Sequence, residues 1–209
     1  MSRHFLLVLI FGSFCCCLTG CKPSKEEQVI TWIKRMPQSP KDAQEWGVTA
    51  FDTIEEWVDA GRKIEGIEET LIEILNNPTD EILKPNERLD KWHVLFAIGY
   101  VGSSKSIPVL VRIMEDTNEY PWERIYAATA LGGIGDPLAV EPLCRIVSCG
   151  EESESLRTNA IGGLGMIGDP NAIPVIENAL KNQQFSDTHK RAVIKTLEDL
   201  KQKESIKKK

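Results

Sequence analysis

Apolar residues recur every three or four positions along most of this chain, a spacing typical of amphipathic helices. No segment shows the strict alternation expected of a half-buried strand. The apolar spacing, together with residues that begin or end helices, predicts helices over residues 41–61, 64–76, 87–101, 103–116, 121–134, 136–148, 154–167, 169–182 and 187–203. A shorter helix is predicted to begin near Ser24 and to end at Met36, before two prolines.

The pattern itself repeats at a fixed interval. Three similar segments are equally spaced along the chain, at Ala97–Gly102, Ala130–Gly135 and Gly163–Gly168. Each is followed by a second matching apolar piece, at Ile107–Leu110, Val140–Leu143 and Ile173–Ile176. A fixed period of this size is typical of stacked-repeat proteins, in which each unit buries its apolar face against its neighbours. Such a stack is expected to supply a binding surface.

The middle repeat indicates why each unit should fold as two helices. Gly135 suits the left-handed residue that ends a helix. Asp136 can cap the next helix with its carboxylate, and Pro137 fits the first helical position, where no N–H is needed. Gly168-Asp169-Pro170 repeats this turn. Two helices joined by so short a turn should be antiparallel neighbours.

Three glycines share one position of the repeat, within the predicted first helices: Gly99, Gly132 and Gly165. A glycine inside a helix costs about 1 kcal/mol relative to alanine. We expect a neighbouring helix to approach the backbone closely at this position.

The motif R-x-x-A-x-x-x-L-G-x-I-G-D-P-x-A-x-x-x-L resembles the HEAT-like repeats of the phycobilisome-lyase type. The middle repeat carries it at Arg124, Ala128, Leu131, Gly132, Ile134, Gly135, Asp136, Pro137, Ala139 and Leu143. The third repeat has Ile161 in place of the alanine, and the first lacks the Asp-Pro pair.

This resemblance implies an all-α fold, an α-solenoid of antiparallel helix pairs that forms a HEAT-like superhelix. The repeats and a terminal capping helix are expected over residues 87–204, with a basic tail at 205–209. A divergent N-terminal helical pair and a loop are expected over 41–86. The resemblance also implies that the second helix of each pair lines the concave side.

The N-terminus resembles the export signal of a bacterial lipoprotein. Arg3 precedes an apolar run that is too short to span a bilayer, and Leu18-Thr19-Gly20-Cys21 is similar to a lipobox. The resemblance implies removal of residues 1–20, acylation of Cys21, a tether with a short helix over 21–40, and a place in the bacterial cell envelope, outside the cytoplasm. The alternatives are an ordinary signal peptide with a chance cysteine, or an uncleaved anchor.

The charge and the motifs of the chain argue against several classes of function. The 31 acidic residues outnumber the 25 basic ones, so the net charge of −6 argues against nucleic acid as a partner. No spacing of metal ligands or of a catalytic nucleophile follows the signal. Gly163–Gly168 matches G-x-G-x-x-G, but no strand precedes it, as dinucleotide binding requires. We therefore expect no enzyme activity, no cofactor and no metal.

A disulfide between Cys144 and Cys149 remains an open alternative, although their spacing places the two side chains on different helix faces.

Two groups of residues are candidates for partner binding. Arg112, Arg145 and Asn178 form one row along the second helices, with Lys181 on the next turn. The arginines could grip a carboxylate or a phosphate, or they could form local ion pairs. Tyr120 and Trp122 precede and begin a first helix, and either pack over the seam between repeats or are exposed anchors; the position of Trp122 after Pro121 favours packing.

A third row lies along the first helices and is basic. It consists of Lys91, Arg124, Arg157 and Lys190, and it is either structural or a basic stripe on the outer face.

These observations favour a membrane-anchored, non-catalytic scaffold that binds a protein partner. The alternatives are a small-ligand-binding lipoprotein and an accessory subunit of an enzyme. Export argues against a bilin-lyase activity, because chromophore attachment occurs in the cytoplasm. The expected partners are a protein of unknown identity and a membrane, reached through the N-terminal lipid.

Overall fold

The structure is a computed structural model of the 209-residue chain. It describes residues 65–76, 91–182 and 185–207, together with Ile30, Ile54 and Glu56. The signal peptide, the tether, the basic tail beyond Lys207 and most of the helix predicted over 41–61 lie outside the described residues. Within the described part the chain forms helices and turns and no strand, which confirms the all-α prediction.

Eight helices lie within the described residues. They are α1 (Ile67–Asn76), α2 (Lys91–Val101), α3 (Ile107–Glu115), α4 (Pro121–Ile134), α5 (Val140–Ser148), α6 (Glu154–Ile167), α7 (Ile173–Asn182) and α8 (Asp187–Lys207). Single 3₁₀ turns precede α3, α5 and α7, at Ser104–Ser106, Pro137–Ala139 and Pro170–Ala172.

The helices stack as an α-solenoid. The first helices α2, α4, α6 and α8 pack against one another in chain order, and the second helices α3, α5 and α7 form an adjoining layer. Helix α1 packs on both α2 and α3, in the place that a second helix of a preceding repeat would occupy. Each second helix packs mainly on the first helix that follows it, α3 on α4, α5 on α6 and α7 on α8, rather than on the first helix to which its short turn joins it. The predicted stacking of helices in sequence order is confirmed, whereas the predicted packing within each pair is not.

The observed bounds differ from the predicted ones mainly where a turn begins a helix. Helices α4 and α6 match their predictions, whereas α3, α5 and α7 begin about one turn later because a 3₁₀ turn comes first. Glu65 and Gly66 form a turn in which Gly66 has a φ of 76°, so α1 begins at Ile67 and not at residue 64. Helix α8 extends to Lys207, past the predicted end at 203.

The turn chemistry predicted for the middle and third repeats is present. Gly135 and Gly168 have φ values of 72° and 73°, the left-handed conformation that ends α4 and α6. The Asp136 carboxylate accepts a hydrogen bond from the backbone N–H of Leu138 at 2.8 Å. The Asp169 carboxylate does the same for Asn171 at 2.9 Å. Each aspartate therefore caps the 3₁₀ turn, which then leads into the second helix.

The repeated helix glycine is explained by close packing of the first helices. A Cβ atom on Gly132 would lie 2.4 Å from the Cα of Gly163 on the next first helix. A Cβ on Gly99 would lie 3.1 Å from the Cα of Ala130. Real Cβ contacts are longer than the first of these distances, so α4 and α6 approach each other at a spacing that only glycine permits.

The core lies between the two layers and is continuous along the stack. Its largest members are no more than 1% exposed: Leu95, Ile98, Leu110, Ile113, Leu131, Leu143 and Leu164. Ile54 is 1% exposed and joins the cluster together with Leu71 and Leu75 of α1. The core thus includes the helix before the first repeat.

Two glycine substitutions of opposite sign test this packing. Gly132→Ala should lower the free energy of unfolding by about 1–3 kcal/mol, because the added methyl group overpacks the contact between α4 and α6. Gly162→Ala is the matched control, since its Cβ would meet nothing within 4 Å and alanine favours a helix. The control should raise the free energy of unfolding by about 0.5–1 kcal/mol. Equilibrium unfolding in urea measures both, and a stabilised Gly132→Ala protein would contradict the packing.

Candidate partner-binding surfaces

The predicted row along the second helices is exposed. Arg112 lies on α3, Arg145 on α5, and Asn178 and Lys181 on α7, and all four side chains reach the surface. We call this surface, with Glu115 and Glu141, the second-helix surface.

Arg112 reaches back to the end of the preceding helix. Its Nη2 donates to the backbone carbonyl of Leu75 at 3.0 Å and to Oδ1 of Asn76 at 3.3 Å. A positive charge at this place satisfies a terminal carbonyl of α1 and complements the helix dipole. Arg112 therefore joins α3 to α1, and it remains exposed on its outer side.

Arg145 makes a similar backward contact, but to an acidic partner. Its Nε and Nη2 donate to Oε1 of Glu115, the last residue of α3, at 3.0 and 2.8 Å. Its Nη1 donates to Oε1 of Glu141 at 2.9 Å. The local ion pairs named as an alternative for this row are thus present. Because the Arg145 side chain is 49% exposed, this network also faces solvent.

On α7 the row has no arginine. Asn178 takes the place of an arginine, and its Oδ1 accepts from Nδ2 of Asn182, one turn later, at 2.6 Å. Glu177 of the same helix pairs with Lys201 of α8 at 2.6 Å. The hydrogen bond and charge of Lys201, and the charge of Lys181, hold the pKa of Glu177 below its usual value. The last repeat is therefore tied to α8.

The packing predicted for Trp122 is wrong. The indole is 69% exposed and Tyr120 is 49% exposed. Tyr120 is the N-cap of α4, so the two positions of a hydrophobic staple are Glu119 and Arg124, both charged. Trp122 lies at the second helical position, between them, and projects outward.

Two further exposed aromatic residues were missed by the sequence reasoning. Phe96 and Tyr100 of α2 are 38% and 42% exposed, and their ring centroids lie 4.9 Å apart. On the neighbouring α4, Tyr126 stacks on Trp92 at 5.6 Å. The spacing of Trp92, Phe96 and Tyr100 by four residues was the available signal for a common face.

The basic row along the first helices is structural, because three of its four side chains are largely buried in contacts between neighbouring repeats, which we call joints. Lys91 forms a salt bridge with Glu119 and lies 3.5 Å from Glu123. Arg124 pairs with Glu152 at 2.5 Å, and its Nε donates to the carbonyl of Met114 at 2.8 Å. Each pair spans 28 residues, so the two contacts are equivalent.

The third joint uses a different partner at the same separation. The Arg157 guanidinium lies 5.3 Å from the ring centroid of Phe185, and its Nη1 donates to the backbone carbonyls of Gly150 and Glu152. The fourth member of the row, Lys190, is exposed. Lys91, Arg124 and Arg157 thus fasten each first helix to the loops beside it, which excludes a basic stripe at these three positions.

Comparison with protein families agrees with this geometry. A family of HEAT repeats matches residues 68–151, and the PBS lyase HEAT-like repeat family matches residues 156–182. This chain carries HEAT-like repeats. The first match begins in α1, which supports the assignment of that helix to the HEAT-like stack. No curated protein shows significant similarity to the chain.

The joint between the first two HEAT-like repeats holds two carboxylates beside one buried ammonium group. Burial and the hydrogen bond with the adjacent Glu119 together raise the pKa of Glu123 to about 7, although the charge of Lys91 acts to lower it. Burial also acts on Glu119, but hydrogen bonds from Glu123 and Lys91 hold its pKa below the usual value. Glu123 therefore holds a proton under mildly acidic conditions and shares it with Glu119.

The two histidines and two cysteines of the described residues occupy structural positions. His93 stacks on Trp92 with centroids 3.5 Å apart, and Nδ1 of His189 lies 3.0 Å from Oε1 of Glu154. Cys144 is half-buried, which raises the pKa of its thiol, and Cys149 is exposed; both are free thiols.

The described residues contain no group of three or more potential metal ligands. None of the described helices combines the length and the apolarity required to cross a bilayer.

Glu123 should make the stability of the HEAT-like stack depend on pH. Its folded pKa of about 7 lies above the ordinary value of 4.5, so its contribution is fully present below pH 4.5 and is lost as the pH rises through 7. The wild-type protein should lose on the order of 1–3 kcal/mol of unfolding free energy through this group between pH 5 and pH 8. Glu123→Gln should remove most of that loss. Chemical unfolding at several pH values measures it.

The control is Glu141→Gln, because the side chain of Glu141 is 86% exposed. This variant should keep the pH dependence of the wild-type protein. An unchanged pH profile for Glu123→Gln would contradict the assignment of the titrating group.

Proposed function

We propose that this protein is a membrane-anchored, non-catalytic scaffold of the bacterial cell envelope that binds a protein partner through its second-helix surface. The HEAT-like repeats are the basis of the proposal, since such repeats commonly form helical scaffolds for protein interaction. The observation that carries the choice of surface is the exposed charge network of Arg145, Glu115 and Glu141.

This network has the properties of a recognition site. A guanidinium has five N–H donors, and Arg145 uses three of them on the two glutamates, so two remain for a partner. The glutamates hold the guanidinium in one orientation, which lowers the conformational cost of binding. Arg112 lies on the adjacent second helix, about 10 Å away at the usual helix spacing.

Mixed charges on this surface support a specific partner. Arg112, Arg145 and Lys181 share the surface with Glu115 and Glu141, so a complementary protein would be held in one register. Such a surface favours specificity over general adhesion. The net charge of −6 also argues against binding to a polyanion.

The anchor rests on the N-terminal sequence. An apolar run followed by Leu18-Thr19-Gly20-Cys21 supports export and acylation of Cys21. Acyl chains contribute about 0.8 kcal/mol per buried CH₂ group, so several chains would hold the stack at the membrane for long periods.

The anchor is tested by metabolic labelling with palmitate. Wild-type protein should incorporate the label, and Cys21→Ser should incorporate none. Cys149→Ser is the matched control, because Cys149 is an exposed free thiol in the folded part and its loss should leave labelling unchanged. Labelling of the Cys21→Ser variant would refute acylation at this residue.

The binding surface is tested by crosslinked capture of envelope proteins. Arg112→Glu combined with Arg145→Glu should reduce capture of the main partner at least about tenfold, the loss of roughly 1.4 kcal/mol of binding energy. Arg191→Glu combined with Lys195→Glu is the control, since it makes the same change in charge at exposed positions of α8. Both proteins should retain wild-type circular dichroism. Equal capture by the two folded variants would remove the second-helix surface as the binding site.

A further inference from the structure

The outward-facing positions of the first helices form one continuous surface, which we call the first-helix face. Its positions recur with the period of the repeat on three successive first helices. They are His93, Phe96 and Tyr100 on α2; Trp122, Tyr126 and Thr129 on α4; and Ser155, Asn159, Gly162 and Met166 on α6. All are exposed or half-buried.

None of these positions carries a formal charge. The charged residues of α2, α4 and α6 lie elsewhere on these helices: Lys91, Glu123, Arg124, Glu154 and Arg157. Lys91, Glu123 and Arg124 have side chains only 6%, 7% and 11% exposed, because they are engaged in the joints between repeats. At the equivalent positions of α8 the chain has Lys195 and Asp199. The lack of charge is therefore a property of α2, α4 and α6 and does not extend to α8.

Two polar side chains of the first-helix face form hydrogen bonds within their own helices. The Thr129 hydroxyl donates to the carbonyl of Ile125 at 3.0 Å, one turn earlier on the same helix. The Asn159 amide donates to the carbonyl of Ser155 at 2.9 Å. Because these groups already have a hydrogen-bond partner, the free-energy cost of removing them from water is lower than it would be for side chains without one.

Large apolar and aromatic side chains project from this face. Trp122 is 69% exposed, Met166 56%, Tyr100 42% and Phe96 38%. Neighbouring first helices lie 8–10 Å apart and a helix of 11–14 residues is about 16–21 Å long, so the face measures roughly 20 Å by 20 Å. This area, about 400 Å², is comparable to the largest apolar patch on a typical soluble monomer, and such patches often mark an interaction site.

The chemistry of the face fits the interfacial region of a lipid bilayer. Tryptophan and tyrosine concentrate there, because each combines an apolar ring with one polar group. The charged groups that could set the register of a protein partner lie on the second-helix surface and not on this face. The two surfaces belong to opposite layers of the stack, so contact of one with a membrane leaves the other accessible.

We propose that the first-helix face lies on the bilayer interface, with Trp122, Tyr100 and Phe96 among the lipid headgroups and Met166 at its edge. This inference rests on the proposed function, since the acyl anchor at Cys21 would hold the face within reach of the bilayer. The lipid that it takes is zwitterionic or uncharged, because the face offers no cation to an anionic headgroup.

The test uses the full-length acylated protein in phosphatidylcholine and phosphatidylethanolamine vesicles, part of whose acyl chains are brominated. Bromine quenches tryptophan fluorescence on contact, and the chain has five tryptophans. The signal of Trp122 is obtained as the difference between wild-type protein and Trp122→Phe. In brominated vesicles that signal should fall roughly twofold relative to vesicles without bromine.

A matched pair of variants locates the contact. Phe96→Glu places a charge in the face, and Ile194→Glu places the same charge on α8; the original side chains are 38% and 39% exposed. Quenching of Trp122 should be lost in Phe96→Glu and retained in Ile194→Glu, with both proteins folded by circular dichroism. Equal quenching in both variants would overturn the proposal.

Flotation of the vesicles separates failure of the inference from failure of the anchor. Wild-type protein that floats with the vesicles but shows no quenching of Trp122 would overturn the bilayer contact, and the face would then fit a protein partner. Wild-type protein that does not float would contradict the anchor itself, and with it both the proposed function and this inference.

Discussion

The close approach of successive first helices is the constraint on which the rest of the structure depends. Gly132 and Gly163 bring α4 and α6 so near that a side chain at the former would collide with the backbone at the latter. Such a contact permits little sliding between helices. It therefore sets the offset between repeats, and this offset determines which side chains can meet across each joint.

The charged joints follow from this offset. With the first helices in register, Lys91 reaches Glu119 and Arg124 reaches Glu152 at the same sequence separation. On the other layer, Arg145 reaches Glu115 of the preceding second helix. Burying the cations of α2 and α4 in the joints also leaves the outer side of these helices without charge. The packing thus produces two surfaces of different chemistry, one charged and one without charge.

Much of the fold could be predicted from the sequence because it depends on local signals. The Gly-Asp-Pro turns, the apolar spacing and the fixed repeat period specify paired helices and their order, and α4 and α6 were placed without error. The repeated glycine also indicated close packing between helices, although it did not identify the atom on the other side. These features act over a few residues or at one fixed period.

The candidate surfaces were less predictable because they depend on contacts between repeats. The basic row of Lys91, Arg124 and Arg157 is buried by acidic, backbone and aromatic partners in the loops, although Glu119 and Glu152 recur with the same period and could have indicated this. Trp122 is exposed because charged residues hold the staple positions of α4. The 3₁₀ turns before the second helices depend on cap geometry that composition alone does not specify.

The coupling between Gly132 and Gly163 tests the central claim most directly. Gly132→Ala, Gly163→Ala and the double variant form a thermodynamic cycle whose interaction energy is measured by equilibrium unfolding. If α4 and α6 touch at these residues, the two substitutions should be non-additive by about 0.5 kcal/mol or more, whereas Gly132→Ala and Gly162→Ala should be additive. Additivity in both cycles would contradict a stack built on backbone contact between successive repeats.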